Sequence, residues 1–91
     1  MKIVYIAGAM SNVPHYKRKF RRMERKLARQ GYIVLNPAWL PALMPYDKAM
    51  AIDRAMILTA DKVVFMKGWE RSKGCATEKR FAEQNGIEVE I

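Results

Sequence analysis

The chain has 91 residues, of which 51% are hydrophobic, and a net charge of +8. This length predicts one domain over residues 1–91 with one small core, and the apolar content excludes a disordered chain. The single cysteine excludes a disulfide framework within the chain, and no apolar run approaches the roughly 20 residues that cross a membrane. We therefore expect a cytoplasmic protein without a membrane segment.

Strand-like and helix-like segments alternate along the chain. In chain order the pattern predicts a strand at Lys2–Ala7, a helix at Tyr16–Gln30, a strand at Tyr32–Leu35, a loop at Ala38–Pro45, a helix at Tyr46–Thr59, a strand at Lys62–Lys67, a loop at Gly68–Lys73, a helix at Gly74–Asn85 and a strand at Ile87–Ile91. Such alternation is typical of a parallel sheet with helices on both faces, and right-handed crossovers leave few topologies. We predict an α/β, doubly wound, flavodoxin- or Rossmann-like sheet of four parallel strands in the order 2-1-3-4.

Basic residues are concentrated in the first predicted helix. The segment Tyr16–Gln30 contains eight basic residues and one acid, a charge of +7, whereas the rest of the chain carries only +1. Such a concentration attracts phosphates, nucleic acid or an acidic partner, but it is equally typical of a solvated face that keeps a protein soluble. The candidate nucleic-acid contacts are Lys17, Arg18, Arg21, Arg22, Arg25 and Arg29.

The predicted strand order places a ligand site at one edge of the sheet. Parallel sheets bind ligands beyond the carboxyl ends of the strands, where the strand order reverses, here between the first and third strands. The loops at that point are Gly8–His15 and Gly68–Lys73. The small residues Gly8 and Ala9, followed by Met10, permit contacts between backbone N–H groups and a phosphate or sugar, and the hydroxyl of Ser72 can do the same. A dinucleotide fingerprint and a Walker A loop are both absent.

Two carboxylates are candidates for chemistry. Glu78 shares a helix face with Gly74, whose lack of a side chain lets a ligand approach. A helix start favours an ionised carboxylate, which can attack a carbon centre or act as a base, although a glutamate in an opening turn is also common without any function. Asp53 lies on an apolar helix stripe, where burial raises a carboxyl pKa and suits it to proton donation; the alternative is a pairing with Arg54 or a backbone amide.

The remaining chemical side chains give weaker indications. With one histidine, His15, and one cysteine, Cys75, far apart in sequence, we predict no metal site and no cofactor. A dyad of these two residues is possible, but packing is the simpler role for the cysteine. Trp39 and Trp69 lie in loops at the predicted ligand edge, where they either stack on a base or pack beneath the loops or against another subunit.

Several segments together resemble the nucleoside 2-deoxyribosyltransferase superfamily, and in particular its small, largely uncharacterised bacterial and phage branch, a domain of unknown function. The segments are Tyr5-Ile6-Ala7-Gly8, Ile52-Asp53, Ala60-Asp61 and Gly68-Trp69-Glu70-Arg71-Ser72-Lys73-Gly74-Cys75-Ala76-Thr77-Glu78. The likeness covers almost the whole chain, and the last segment, with Asp53 upstream, is its most specific part.

The resemblance implies a flavodoxin-like fold and chemistry at an N-glycosidic bond. It assigns Glu78 as the nucleophile on the anomeric carbon, Tyr5 as the residue that orients it, and Asp53 as the residue that assists the leaving base. Together with the loops at the predicted ligand edge, this gives Gly8, Ala9, Met10, Trp69, Ser72 and Gly74 as the predicted substrate contacts. A carboxylate below the sugar and a proton donor near the base match the charges that develop as such a bond breaks.

The resemblance also bears on the ligand and the assembly. The position of Ser72 is an aspartate in the transferases and a phosphate-binding serine in the related deoxynucleoside 5′-monophosphate N-glycosidases, which favours a nucleotide over a free nucleoside. The likeness further implies a homo-oligomer in which another subunit closes the site. Hydrolysis and transfer both stay open, because water or a second base can accept the sugar.

Two other classes of function remain open at this point. The chain can be a non-catalytic module that senses a nucleotide or binds nucleic acid through the basic helix, and a structural subunit with an acidic partner is the third possibility. Binding through phosphates weakens steeply as the salt concentration rises, which distinguishes a nucleic-acid site from a solvated basic face.

Overall fold

The computed structural model describes residues 1–91 as a four-stranded sheet with three α-helices. The elements in chain order are β1 (Ile3–Ala7), α1 (Tyr16–Arg29), β2 (Ile33–Leu35), α2 (Tyr46–Thr59), β3 (Lys62–Phe65), α3 (Lys73–Gln84) and β4 (Glu88–Glu90). No α-helix combines the length and the hydropathy that crossing a bilayer requires.

All strand pairs are parallel, and the strand order is β2-β1-β3-β4. In the register of the sheet, Tyr5 of β1 lies between Leu35 of β2 and Val63 of β3. The predicted fold class and strand order are therefore confirmed. From β1 the chain continues to β2 on one side and later to β3 and β4 on the other. The strand order therefore reverses between β1 and β3, and the loops that follow these two strands are neighbours.

Element boundaries differ from the predicted ones mainly at the strand ends. The strand predicted at Lys62–Lys67 ends at Phe65, although the N–H of Met66 still donates to the carbonyl of Ala7 at 2.8 Å. The predicted loops each contain a single turn of 3-10 helix, Pro37–Trp39 and Trp69–Arg71. The first of these turns begins at Asn36, whose side chain accepts a hydrogen bond from the N–H of Ala38 at 2.9 Å. Local side-chain bonds of this kind are hard to predict because they require no hydrophobic periodicity.

The side chains of β1 divide the core into two clusters, because successive residues of a strand point to opposite faces. Val4 and Ile6 pack with Phe20 and Leu27 of α1 on one face. On the other face, residues of β1 and β3 pack with residues of α2 and α3, and the cluster comprises Tyr5, Ala7, Ile57, Ala60, Val63, Phe65, Cys75 and Ala82. Helices therefore cover both faces of the sheet, with α1 alone on one side and the α2–α3 pair on the other.

The spacing of Tyr46, Met50, Asp53 and Ile57 predicts that all four share one stripe of α2, but the stripe that is buried is shorter. Met50, Asp53 and Ile57 are buried, as their spacing indicates, but Tyr46 is 68% exposed. Tyr46 is the first residue of the helix, ahead of the turns that pack on the sheet, so helical periodicity alone assigns it to the wrong environment.

Candidate active site

Three polar side chains from three different elements meet within the α2–α3 side of the core. Tyr5 comes from the middle of β1, Asp53 from α2 and Glu78 from α3, and their exposed fractions are 0%, 9% and 6%. The hydroxyl of Tyr5 donates a hydrogen bond of 2.7 Å to Oε2 of Glu78. Asp53 is close enough to both partners to perturb their pKa values. These are the three residues that the sequence predicts as catalytic, and the fold brings them together.

The local sequence explains why each polar group points inward. Tyr5 shares its face of β1 with Ala7, which is fully buried. Glu78 lies on the α3 stripe between Cys75 and Ala82, three residues after one and four before the other, so all three face the sheet. The carboxylates thus occupy positions that an amphipathic helix normally fills with apolar residues. Burying them costs folding free energy unless they are paired and hydrogen-bonded.

Burial raises the pKa of Glu78 to about 8, and the nearby Asp53 carboxylate acts in the same direction. The hydrogen bond from Tyr5 and the positive charge of Arg54 lower that pKa, but they do not offset burial. From the sequence, the start of the helix is expected to favour the ionised form. That expectation is wrong for the free protein, because Glu78 lies in the second turn of α3, and the field of a helix terminus falls off within the first turn.

Asp53 is the least satisfied member of the group. Burial raises its pKa as well, while hydrogen bonding with Glu78 and Tyr5 acts in the opposite direction. Its Oδ1 atom is buried and has no hydrogen-bond partner, and no salt bridge with Arg54 forms. Two close buried carboxylates hold a proton between them more readily than two negative charges, so the pair titrates as a unit.

The two other buried titratable groups of this region stay neutral. Burial, reinforced by the two carboxylates, raises the pKa of the Tyr5 hydroxyl far above its ordinary value. Burial likewise raises the pKa of the Cys75 thiol to about 11. Tyr5 is consequently a hydrogen-bond donor at any working pH, and Cys75 is a packed thiol with little thiolate character.

Ser72 and Gly74 lie at the beginning of α3, next to the site. Ser72 is the N-cap of the helix, and its hydroxyl oxygen accepts a hydrogen bond from the N–H of Cys75 at 3.2 Å. A Cβ atom added to Gly74 would lie 3.4 Å from the hydroxyl oxygen of Tyr46 and 3.6 Å from that of Ser72. Both hydroxyl groups therefore border the space above Gly74, and Tyr46 joins this loop through a contact for which the sequence offers no signal.

The glycine after β1 has a packing role. A Cβ atom on Gly8 would lie 3.0 Å from Cζ of Phe20 and 3.1 Å from the sulfur of Met66, which is closer than ordinary contacts. Met10, three positions before Val13, packs against the α1 side of the core, and the N–H of Val13 donates to its carbonyl at 3.1 Å. Gly8, Ala9 and Met10 are all half-buried. Close packing is thus sufficient to explain the glycine, and substrate contact by these three residues stays a prediction.

Trp69 packs beneath the loop that follows β3. Its ring lies 5.1 Å from that of Phe65, centroid to centroid, and it contacts the α2–α3 side of the core. Its Nε1 atom is buried without a hydrogen-bond partner. Trp39 instead donates its indole N–H to Glu24 at 3.0 Å and is 68% exposed. Of the two interpretations of Trp69, packing is therefore what the structure shows.

His15 takes no part in the site. It is exposed, with a left-handed backbone at the N-terminus of α1, while Cys75 is buried on the other side of the sheet. The dyad considered from the sequence is therefore wrong. No group of three or more histidine, cysteine, aspartate or glutamate side chains is arranged to hold a metal ion.

Comparison with solved structures finds the same architecture in an enzyme. The chain resembles a 2-desoxiribosyltransferase from Leishmania mexicana with a TM-score of 0.76 at 20% sequence identity. The match covers 98% of this chain and 62% of the other, so the chain spans less than two thirds of its length. At this identity the likeness establishes the fold. No curated protein matches the chain significantly by sequence.

The family is established by sequence. A family model described as a domain of unknown function, DUF4406, matches residues 2–91, which is nearly the entire chain. Together with the structural likeness, this match bears out the resemblance recognised from the motifs. The chain is thus a member of the DUF4406 family, with the fold of the nucleoside 2-deoxyribosyltransferases.

Proposed function

We propose that this protein cleaves or transfers at the N-glycosidic bond of a deoxynucleoside or deoxynucleoside 5′-monophosphate. In this proposal Glu78 is the nucleophile, Asp53 is the proton donor to the leaving base, and Tyr5 orients the nucleophile. The observation that carries it is the hydrogen bond of 2.7 Å from Tyr5 to Glu78 beside Asp53, whose buried Oδ1 has no partner. A buried carboxyl oxygen without a partner is costly, and a ligand that forms a hydrogen bond with it, here the base that accepts the Asp53 proton, removes this cost.

The covalent step uses the ionised form of Glu78. Tyr5 donates to Oε2, which leaves Oε1 as the attacking atom. A bond forms between Oε1 and the anomeric carbon, the bond from that carbon to the base nitrogen breaks, and the electron pair leaves with the base. The proton on Asp53 passes to the base, so the base departs neutral. Water or a second base then attacks the anomeric carbon, breaks the ester to Glu78, and yields free or transferred sugar.

A carboxylate pair that shares one proton can supply both a nucleophile and a proton donor. One group has to be ionised and the other protonated, and a pair that takes up one proton more readily than none or two satisfies both needs. In the free protein, hydrogen bonding between the two carboxyl groups raises the pKa of Glu78 and lowers that of Asp53, so the shared proton rests on Glu78, and the reaction requires its transfer to Asp53 before the attack. Positive charge on the sugar ring in the transition state then lies beside a carboxylate that burial has stripped of water, where its attraction is strong.

Ser72 supports a 5′-monophosphate as the preferred substrate. Its hydroxyl oxygen accepts from the N–H of Cys75, so the hydroxyl proton remains free to donate to a phosphate oxygen at the beginning of α3. Helix N-termini attract anions. The Ser72→Asp variant keeps an acceptor at the N-cap but places a negative charge against the phosphate. We expect it to lower kcat/KM for monophosphates at least tenfold and to leave free nucleosides nearly unaffected.

The decisive experiment follows release of free base from a panel of deoxynucleosides and their 5′-monophosphates, with and without a second base as acceptor. We expect release by the wild type, a loss of at least about 100-fold in Glu78→Gln, and a loss of at least about tenfold in Asp53→Asn. Glu70→Gln, which removes an exposed carboxylate from the loop before α3, is the matched control and keeps full activity. Equal release by wild type and Glu78→Gln would refute the catalytic proposal.

Trapping separates the covalent mechanism from simple hydrolysis. Rapid acid quenching followed by mass spectrometry is expected to find the sugar attached to the peptide that contains Glu78. The adduct is expected to be absent from Glu78→Gln. Base release with no adduct at any quench time, and an unchanged rate when acceptor bases are added, would contradict a glutamate nucleophile.

A further inference from the structure

One face of α1 carries an unusual density of positive charge. Arg18, Arg22, Arg25 and Arg29 recur at steps of four, three and four, so they share one stripe, opposite the residues that pack on the sheet. With Arg21 and Lys26 beside them they form a surface patch that contains no hydrophobic residue. We call these six residues the basic face of α1.

The residues of the basic face form no salt bridges within the protein. The salt bridges of the structure are formed by Lys62 and Lys79 and involve no residue of α1. The single acid of α1, Glu24, accepts hydrogen bonds from the side chains of Asn36 and Trp39 at 2.8 and 3.0 Å. Glu24 is thereby engaged by the loop after β2, and although the charges of Arg21 and Arg25 help to lower its pKa, it forms no salt bridge with either.

This arrangement works against the stability of the helix. Like charges four residues apart, as in Arg18–Arg22 and Arg25–Arg29, repel one another on a helix surface. The first turn of α1 contains no acid, and the N-cap residue His15 makes no side-chain hydrogen bond to it. Basic residues at a helix N-terminus also oppose the helix dipole. A face that served only solubility would need neither clustered arginines nor positive charge at the helix N-terminus. A bound polyanion offsets both the repulsion between the arginines and their unfavourable interaction with the helix dipole.

We propose that the basic face of α1 binds the phosphate backbone of double-stranded DNA. Five of its six residues are arginine, whose planar guanidinium donates two parallel hydrogen bonds to a phosphate. Arg18 and Arg29 are separated by eleven helical steps, or about 16 Å, which matches roughly five base-pair steps of duplex. An exposed convex helix approaches the wide major groove of B-form DNA and its bordering phosphates, whereas the major groove of double-stranded RNA is too deep and narrow.

The surface is separate from the candidate active site. α1 packs on the face of the sheet that contains Val4 and Ile6, while Tyr5, Asp53 and Glu78 lie on the opposite side. DNA binding through phosphates is therefore independent of the proposed glycosidic chemistry. Loss of one function is expected to leave the other intact, so their failures are distinguishable.

The test measures binding of the protein to a fluorescent DNA duplex of about 20 base pairs over a range of salt concentrations. We expect saturable binding at about 50 mM salt that weakens with a log–log slope of about −0.9 for each phosphate neutralised. The triple variant Arg18→Gln, Arg22→Gln, Arg25→Gln is expected to lose at least tenfold in affinity and about two to three units of slope. Its thermal unfolding, followed by circular dichroism, is expected to occur at the same or a higher temperature, because repulsion within α1 is removed.

The matched control removes the same charge elsewhere. Lys2→Gln, Lys48→Gln, Arg80→Gln changes three exposed residues outside α1 and is expected to lose less than about threefold in affinity. The single variants Arg25→Gln and Arg80→Gln repeat the comparison with minimal risk to the fold. Arg25→Gln is expected to reduce the log–log slope of affinity against salt by about one unit more than Arg80→Gln does.

Three results would overturn the proposal. The first is the absence of saturable DNA binding at about 50 mM salt. The second is an equal loss in the α1 variant and its control, which would mean that net charge alone determines binding. The third is binding of polyglutamate, or of an RNA duplex of the same sequence, as tightly as the DNA duplex, which would assign the basic face to another kind of partner.

Discussion

At the scale of single residues, the distinctive feature is a hydrogen-bonded carboxylate pair in a position where a helix normally presents apolar side chains. Glu78 is 6% exposed and has a pKa raised to about 8 by burial. A site built in this way costs stability whenever the pair is forced to ionise fully. Buried groups of this kind are retained where they contribute to function, and a stability cost at the same residue is the usual consequence.

The pH dependence of stability measures this cost. Since the folded-state pKa of Glu78 is about 8, against an ordinary value of 4.5, the folded state binds more protons between those two limits. The free energy of unfolding therefore falls as the pH rises from about 4.5 to about 8. Glu78→Gln does not titrate and can still accept the Tyr5 hydrogen bond, so we expect it to be the more stable protein above pH 8, by on the order of 2 kcal/mol.

Urea unfolding at a series of pH values checks this expectation. The difference between Glu78→Gln and the wild type is expected to be small near pH 4.5 and to grow toward pH 8. Glu70→Gln, with an exposed carboxylate, is the control and is expected to track the wild type. Parallel pH curves for Glu78→Gln and wild type would contradict a raised pKa at this residue.

Tyr5→Phe isolates the hydrogen bond. Without the hydroxyl, Glu78 loses the donor that lowers its pKa, so the variant is expected to ionise at higher pH. At alkaline pH the buried charge then lacks a partner, which costs about 1–3 kcal/mol of unfolding free energy. Tyr16→Phe removes a hydroxyl from α1, on the opposite face of the sheet, and serves as the control. The pH profile of base release is expected to shift upward in Tyr5→Phe alone; an unchanged profile would argue against an orienting role.

At the scale of elements, the residues that begin α3 also border the candidate site. Ser72 begins the helix by accepting from the N–H of Cys75, and the two intermediate residues include the glycine that leaves space beside the loop. The loop therefore holds the beginning of the helix that carries Glu78, and we expect any loosening of this cap to disturb the position of Glu78, the proposed nucleophile, six residues later.

Removal of the cap has a measurable cost. Ser72→Ala is expected to lower the free energy of unfolding by about 1 kcal/mol, because the N–H of Cys75 loses its acceptor. Ser72→Asp, which restores an acceptor and adds a favourable charge at the helix N-terminus, is expected to recover the wild-type value. The measurement is chemical denaturation at constant pH. Equal destabilisation by alanine and aspartate would show that the hydroxyl stabilises the protein in another way.

At the scale of the whole molecule, exposed apolar side chains cluster in the segment between β2 and α2. Leu43 is 97% exposed, and Trp39 and Tyr46 are each 68% exposed. A chain of this size buries a limited core, so an association that covers these side chains is favourable. Tyr46 also borders the space above Gly74, which places this segment beside the candidate site.

We expect the protein to self-associate through this segment. Light scattering after size exclusion is expected to give a mass that is a multiple of the 10.5 kDa chain. The double variant Leu43→Glu, Trp39→Glu is expected to shift the mass toward that of one chain, because charged side chains at a covered surface oppose association. Ile33→Glu and Leu58→Glu, at exposed positions outside the segment, are the controls. A wild type with the mass of a single chain would contradict this prediction.

The sequence by itself determined the architecture and the identity of the candidate residues. Alternating strand and helix periods require a parallel sheet with helices on both faces, and the steps between Met50, Asp53 and Ile57 place that carboxylate inward, since these patterns are local properties of the chain. The motif around Glu78 selected the second carboxylate through its resemblance to a family.

Only the tertiary structure decided the hydrogen bonding, the burial and the pKa values of those residues. Tyr5 and Glu78 are 73 positions apart in sequence. Their hydrogen bond forms because α3 covers the face of the sheet toward which Tyr5 points. The raised pKa of Glu78, the unpaired Oδ1 of Asp53 and the packing of Trp69 follow from burial by distant residues, and periodicity contains no measure of it. Local pattern therefore predicted where the side chains point, and the long-range packing set their charge.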